Sequence, residues 1–221
     1  MKKIIFMPIP MQTNLQALYT ITQETAKKLN LDNSKKINYP INAYISDYLN
    51  ENDELKICFI ELTDNEGNSE LAARCKQNEI LFQNELQAIT KSLNVRLEYK
   101  TVKTSFSESA DIFGSRFEDL YKCLEKNCEI YADITFGAKT NTLILNNILN
   151  FAEQFFDCNV EAIVYGKTIF TENKEGKTTP NQSISKVCDV TSLYYLTKLT
   201  NHIKADSPEE AIKKVKKYLK L

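Results

Sequence analysis

Short, nearly uninterrupted apolar runs alternate with segments of helical periodicity along the first 170 residues of the chain. An apolar run is typical of a strand covered on both faces, whereas apolar residues three and four apart indicate an amphipathic helix. The predicted strands are residues 3–10, 55–62, 95–102, 129–134 and 160–166, and the predicted helices are residues 15–29, 41–48, 70–93, 109–124 and 142–156. Strands that alternate with helices predict an α/β fold with a doubly wound, mainly parallel, Rossmann-like sheet.

The pattern changes after residue 170. A polar turn at residues 173–181 separates two short segments, 168–171 and 183–187, which we expect to pair as an antiparallel hairpin. Two helices are predicted beyond it, at residues 193–203 and 208–221, the second with Ser207 as its N-cap. We therefore divide the chain into a main domain, residues 1–170, and a small hairpin and helical C-terminal extension, residues 171–221.

Composition narrows the classes of function. The 28 basic and 29 acidic residues give a net charge of −1, which argues against binding long nucleic acids. His202 is the single histidine, so chemistry that needs two histidines is excluded within one chain. The six cysteines lack zinc-site spacing and predict reduced, buried thiols in a cytoplasmic protein. Without a signal sequence or a long apolar run, we expect no membrane association.

In an open parallel sheet, ligands bind beyond the carboxyl ends of the strands, where the strand order reverses. Residues 10–14 (PMQTN) follow the first strand and residues 135–142 (TFGAKTNT) follow the fourth. The second segment combines a glycine, a helix N-terminus and a lysine, which together favour an anion; the alternative is a solvated turn. The candidate ligand-binding residues are Pro10, Met11, Gln12, Thr13, Asn14, Thr135, Phe136, Gly137, Ala138, Lys139, Thr140, Asn141 and Thr142.

Two common nucleotide-binding loops are absent from the sequence. The 135–142 segment is not a Walker A loop, because it lacks Gly-x-x-x-x-Gly-Lys-Ser/Thr. The turn after the first strand contains prolines where a dinucleotide-binding fold has Gly-x-Gly-x-x-Gly. Both the NTPase and the dehydrogenase interpretations are therefore weak.

Residues 131–142 (YADITFGAKTNT), the apolar helix after them and the strand that ends at Gly166 resemble the CRISPR-associated Rossmann fold (CARF) family. Members of that family carry an Asp/Asn-x-Thr-x-Gly-x-Lys/Arg loop after the fourth strand. The resemblance covers about residues 1–170, and the tail is similar to short extensions in the same family. Phe136 and Ala138 depart from the residues frequent at their positions, which leaves the size of the ligand ring open. Phe136 is equally compatible with stacking on adenine and with core packing.

The resemblance implies a homodimer that binds cyclic tetra- or hexa-adenylate, a second messenger of type III CRISPR antiviral defence. The implied ligand contacts are Thr135, Gly137 and Lys139, with Gln12 and Thr13 from the first loop. A ring nuclease would cleave this ligand without metal or cofactor, with Lys139 stabilising charge and Thr13 and Gln12 positioning the ribose. The alternative is a non-catalytic regulator that acts through its C-terminal helices or a partner.

A metal-dependent nuclease is a third and weaker alternative. Glu98 and Lys100 form an E-x-K pattern on a predicted strand, but no convincing aspartate precedes them. We expect Asp133 to fix its loop rather than act as a base, and Tyr194 and Tyr195 to be core or dimer contacts.

Overall fold

The computed structural model describes residues 1–13, 15–32, 34–63, 69–172, 176, 178–181 and 185–219. Along the chain the elements are β1 (Lys2–Pro8), β2 (Tyr19–Thr20), α1 (Gln23–Leu29), β3 (Lys36–Ile37), α2 (Pro40–Ile45), β4 (Glu54–Thr63), α3 (Ser69–Thr90), β5 (Arg96–Ser105), α4 (Ala110–Tyr121), β6 (Glu129–Asp133), α5 (Lys139–Phe155), β7 (Asn159–Lys167), β8 (Phe170–Glu172), β9 (Thr178–Pro180), β10 (Lys186–Asp189), α6 (Thr191–His202) and α7 (Pro208–Leu219).

A six-stranded sheet in the order β10-β7-β6-β1-β4-β5 forms the centre of the molecule. The five strands from β7 to β5 are parallel, and β10 is antiparallel to β7. From β1 the chain moves outward through β4 to β5, returns to β6 on the other side of β1 and continues to β7. The fold is thus α/β with a mostly parallel, Rossmann-like central sheet, as the alternation of strands and helices predicts.

Helices cover both faces of the sheet. Helices α1, α2 and α3 contribute to one buried apolar cluster, and α4, α5 and α6 contribute to the other. Strand β1 supplies Ile5 and Met7 to the first cluster and Ile4 and Phe6 to the second. Burial on both faces explains the uninterrupted apolar runs within these strands, at residues 4–7 of β1 and 57–60 of β4. Strand β5 lies at the sheet edge, which agrees with its alternating pattern.

The first predicted helix starts later in the structure, and the second, predicted to residue 48, ends at Ile45. The helix predicted from residue 15 begins only at Gln23, where Thr22 Oγ1 accepts the N–H of Thr25 at 3.2 Å. Residues 19–20 instead pair with residues 36–37 as the β2–β3 ribbon, which buries Tyr19. The helix start predicted at residue 15 was therefore wrong.

The two segments predicted to form a hairpin do not pair with each other in the structure. Strand β8 pairs with β9, whereas β10 joins the central sheet beside β7. The hydroxyl of Tyr44 on α2 donates to Asp189 Oδ2 at 2.7 Å, which ties β10 to the helical layer. Residues 183 and 184 of the predicted pairing lie outside the described part of the chain.

Candidate functional site

The carboxyl ends of β1 and β6 lie side by side at the centre of the sheet, with Phe6 in register with Ala132. Because β4 lies on the other side of β1, the connections that leave β1 and β6 diverge to opposite faces. This is the switch point where open α/β sheets bind ligands. Residues 9–13 follow β1 and residues 134–138 follow β6, and we call the space between these loops the switch-point crevice.

Gly137 allows the two loops to meet. Its φ is +87°, in the left-handed region, and a β-carbon on it would lie 2.7 Å from Cβ of Pro8. Only glycine satisfies both conditions without displacing Pro8. The residue remains exposed to solvent, so its backbone is accessible from the crevice while it packs against the end of β1.

The loop after β1 is held from α3. Nδ2 of Asn78 donates to the backbone oxygens of Pro10 and Gln12, at 2.7 and 3.0 Å. Pro10 is buried and Met11 packs against the core, so the side chains that face solvent are those of Gln12 and Thr13. The remaining residue predicted in this loop, Asn14, lies outside the described residues.

Asp133 braces the base of the crevice. Its Oδ1 accepts the N–H of Thr135 at 2.8 Å and its Oδ2 accepts the N–H of Ile41 at 3.1 Å. Burial raises the pKa of this carboxyl to about 6, and the hydrogen bonds from Thr135 and Ile41 oppose that shift. Both oxygens are engaged by backbone N–H groups, which confirms that Asp133 fixes its loop.

Thr135 and Phe136 have structural contacts of their own. The hydroxyl oxygen of Thr135 accepts the N–H of Gly166 at 2.8 Å, which joins the ends of β6 and β7. The ring of Phe136 is half-buried and meets the ring of Tyr39 edge-on, with centroids 5.9 Å apart. Phe136 also lines a cavity of about 170 Å³ together with Gln12. It therefore contacts both the core and the crevice.

The segment predicted as a loop ends earlier than expected, because α5 begins at Lys139 rather than at residue 142. Ala138 is its N-cap and provides no side-chain hydrogen bond. The N–H groups of Lys139 and Thr140 have no acceptor among the described residues. Free N–H groups and the helix dipole favour an anion at this end of α5.

The side chains of the first turn of α5 point to different surroundings. Lys139 is exposed and forms no ion pair with any described residue. The hydroxyl of Thr140 donates to Glu108 Oε1 at 2.8 Å. Thr142 lines an apolar groove between α5 and α6, together with Leu193. Lys139 is therefore the charged side chain of this turn that is available to a ligand.

Asn141 is 1% exposed, and its Oδ1 accepts Nη1 of Arg116 at 2.6 Å. Its Nδ2 is buried without a hydrogen-bond partner in the described part of the chain. That nitrogen lies 3.4 Å from the position of a β-carbon on Gly137. A buried donor without an acceptor is rare in folded proteins, so this atom marks the junction of Gly137 and α5 as unusual.

Two residues that shape the site, Arg116 and Asn78, were missed from the sequence. Arg116 had a detectable signal, because it lies within the apolar side of α4, three or four residues from Ile112, Phe113 and Leu120. A basic residue in such a stripe is rarely buried unless it has partners. Asn78 gave no signal, because it is one of several polar residues along α3.

The described residues contain no group of three or more His, Cys, Asp or Glu side chains placed to hold a metal ion. Glu98 of the E-x-K pattern forms an ion pair with Lys56 at 3.5 Å, near the amino ends of β4 and β5 and away from the crevice. Five of the six cysteines are buried and Cys188 is half-buried, and all are free thiols. No helix in the described part of the chain combines the length and apolar character needed to cross a membrane.

No protein-family model matches the chain, and no curated protein is significantly similar to it in sequence.

Proposed function

We propose that this protein binds a cyclic oligoadenylate in the switch-point crevice, across the two-fold axis of a homodimer. The observation that carries the proposal is the junction of Gly137, the uncapped N-terminus of α5 and the exposed Lys139 beside the end of β1. These groups supply N–H donors and a positive charge at one place, which suits a phosphodiester.

Among phosphodiesters, we propose a cyclic oligoadenylate as the ligand because of the CARF-like motif. The half-buried Phe136, which precedes Gly137 in the chain, lines a cavity of about 170 Å³ together with Gln12, and this cavity offers an apolar surface for an adenine. The near-zero net charge is compatible with this ligand, because a small ring needs only a local site. On the same resemblance, we propose a role in type III CRISPR signalling.

Ring cleavage is a second candidate function, favoured by three polar side chains that remain uncommitted. The side chains of Gln12, Thr13 and Lys139 are exposed and form no hydrogen bond with any described residue. In this reaction a ribose 2′-oxygen attacks the adjacent phosphorus while the bond from phosphorus to the 5′-oxygen breaks. The 2′-proton is released, the 5′-oxygen takes up a proton, and a 2′,3′-cyclic phosphate remains. Gln12 and Thr13 would hold the ribose in line, and Lys139 would stabilise the added negative charge.

Binding and cleavage are tested together with cyclic tetra- and hexa-adenylate in EDTA. Calorimetry measures affinity, and chromatography measures linear products. We expect Lys139→Ala to weaken binding about tenfold, the loss typical of one charge-assisted contact. Lys126→Ala is the matched control, because Lys126 is exposed and precedes the amino end of β6, at the end of the strand opposite to the crevice.

Each outcome has a separate meaning. Linear products that disappear in Lys139→Ala support ring cleavage. Binding without products contradicts cleavage and supports the non-catalytic regulator. If the wild-type protein binds neither ring, the proposed function is wrong.

A further inference from the structure

Arg116 is a buried positive charge without a carboxylate partner. Its side chain is 2% exposed, and it donates to Thr104 Oγ1 at 2.6 Å, to Asn141 Oδ1 at 2.6 Å and to the backbone oxygen of Ser105 at 2.8 Å. All three acceptors are neutral. None of the described carboxylates lies within ion-pair distance of this guanidinium, which remains protonated at any physiological pH. A buried charge in such surroundings favours an anion nearby.

Asn141 connects this charge to the switch-point crevice. An arginine can only donate hydrogen bonds, so the amide atom that faces Arg116 is the oxygen, and Nδ2 faces away from it. Nδ2 is directed toward Gly137 and has no acceptor in the described part of the chain. The amide is therefore oriented by Arg116 with its free donor toward the place where we propose that a phosphodiester binds.

One negative charge lies near this arrangement. Glu108 is exposed and accepts the hydroxyl of Thr140. Burial lowers the pKa of Arg116, and the charge of Glu108 opposes part of that shift. Glu108 therefore offsets part of the positive potential at the N-terminus of α5. Its position outside the core allows the charge to be removed without disturbing buried contacts.

We propose that Arg116 is a positioning residue which, through Asn141, makes the N-terminus of α5 selective for the charge of a phosphodiester. This inference rests on the proposed function, because it concerns the same crevice and the same ligand. It adds that discrimination between an anionic and a neutral linkage depends on a residue that the ligand does not touch.

The experiment compares two probes on the full-length protein: cyclic tetra-adenylate and the same ring with neutral methylphosphonate linkages, with hexa-adenylate rings if these bind more tightly. The measured quantity is the ratio of the two affinities. We expect a ratio of about 10 for the wild-type protein and about 3 or less for Arg116→Met, because a weakly screened buried charge acts on the anionic ring alone. A merely structural role of Arg116 would weaken both rings by the same factor and leave the ratio unchanged.

Glu108→Gln provides an independent variant that keeps the core intact. We expect its ratio to rise about twofold, and Glu118→Gln, at an exposed position of α4, to leave it unchanged. If Arg116→Met fails to fold, Asn141→Ser decides the inference, because serine removes the amide that Arg116 orients, and its ratio should fall as well. An unchanged ratio in Arg116→Met, or in Asn141→Ser when Arg116→Met does not fold, overturns it. A wild-type protein that binds no ring contradicts the proposed function itself.

Discussion

At position 137, an alanine would have to adopt a φ of +87° and place its β-carbon 2.7 Å from Cβ of Pro8. Because Pro8 ends β1 and is itself rigid, the loop would have to move, and we expect Gly137→Ala to lower the free energy of unfolding by about 2 kcal/mol. Urea unfolding measures this loss. Gly114→Ala is the control, because Gly114 lies inside α4 with open space around it. This substitution should raise the free energy of unfolding by about 0.5–1 kcal/mol. Equal effects at both positions would contradict the proposed close packing.

Asp133 predicts a pH dependence of stability. Its pKa rises from 3.8 to about 6 on burial, so the folded protein binds more protons than the unfolded chain between these values. The contribution of this group is present in full below pH 4 and is lost as the pH rises through about 6. A shift of this size corresponds to about 3 kcal/mol.

The measurement is the difference in unfolding free energy between wild type and Asp133→Asn, followed from pH 4 to pH 7. We expect this difference to fall from pH 4 to about pH 6 and to level off above it, because the variant has no carboxyl to titrate at this position. The NMR signal of the Asp133 carboxyl carbon reports the same titration. A midpoint near pH 4 in the folded protein would contradict the expectation.

Which residues surround the crevice could be predicted from the sequence. Which of their atoms lack a hydrogen-bond partner could not. The glycine and lysine of the 135–142 segment lie at the crevice, as the pattern indicated. Thr135 and Asn141 also lie there, but their oxygens accept from Gly166 and Arg116, which are 31 and 25 residues away in the chain. Such partners depend on how β7 and α4 pack, and no local pattern contains that information.

Among the elements, the strands β1, β4 and β6 were predictable because burial on both faces makes their central residues a continuous apolar run. The region before α1 was not, because its apolar residues fit a helical spacing while Tyr19 and Thr20 pair with residues 36–37. The same applies to β10, whose pairing with β7 replaces the expected local hairpin. Pairing between distant segments prevailed over local periodicity in both cases.

Glu153 of α5 is one of the contacts that hold α6, beside the hydrogen bond from the Tyr195 hydroxyl to the backbone oxygen of Val160 at 2.9 Å. Glu153 accepts the hydroxyl of Tyr194, and Lys198 donates to the same carboxylate at 2.5 Å. Tyr194 is buried, which confirms the expectation of a core contact. We expect Glu153→Ala to cost about 2 kcal/mol, because a buried hydroxyl loses its acceptor. Urea unfolding measures the cost, and faster amide exchange confined to α6 would identify the region affected.

Gln154→Ala is the matched control for this contact, because Gln154 is the next residue of α5 and its side chain is exposed. The control should change the free energy of unfolding by less than about 0.5 kcal/mol. If Glu153→Ala and Gln154→Ala have the same stability, α6 is held by its apolar contacts rather than by Glu153.

At the scale of the whole molecule, the crevice joins parts of the chain that are far apart in sequence, since Pro8 contacts Gly137. A ligand bound there stabilises the fold as a unit, because it binds the folded state and not the unfolded chain. At a free concentration 100 times the dissociation constant, the gain is about 2.7 kcal/mol. For a chain of this size we expect cyclic oligoadenylate to raise the melting temperature by about 5–10 °C.

The proposed symmetric site also sets the stoichiometry of this complex. A cyclic ring that lies on a two-fold axis contacts the same residues of both subunits, so one ring should bind per two chains. Light scattering should give twice the mass of one chain, and calorimetry should give half a ring per chain. Lys139→Ala should lower the ligand-induced rise in melting temperature, whereas Lys126→Ala should not. One ring bound per monomer, with the same thermal shift, would retain the crevice as the site but contradict its location on a dimer axis.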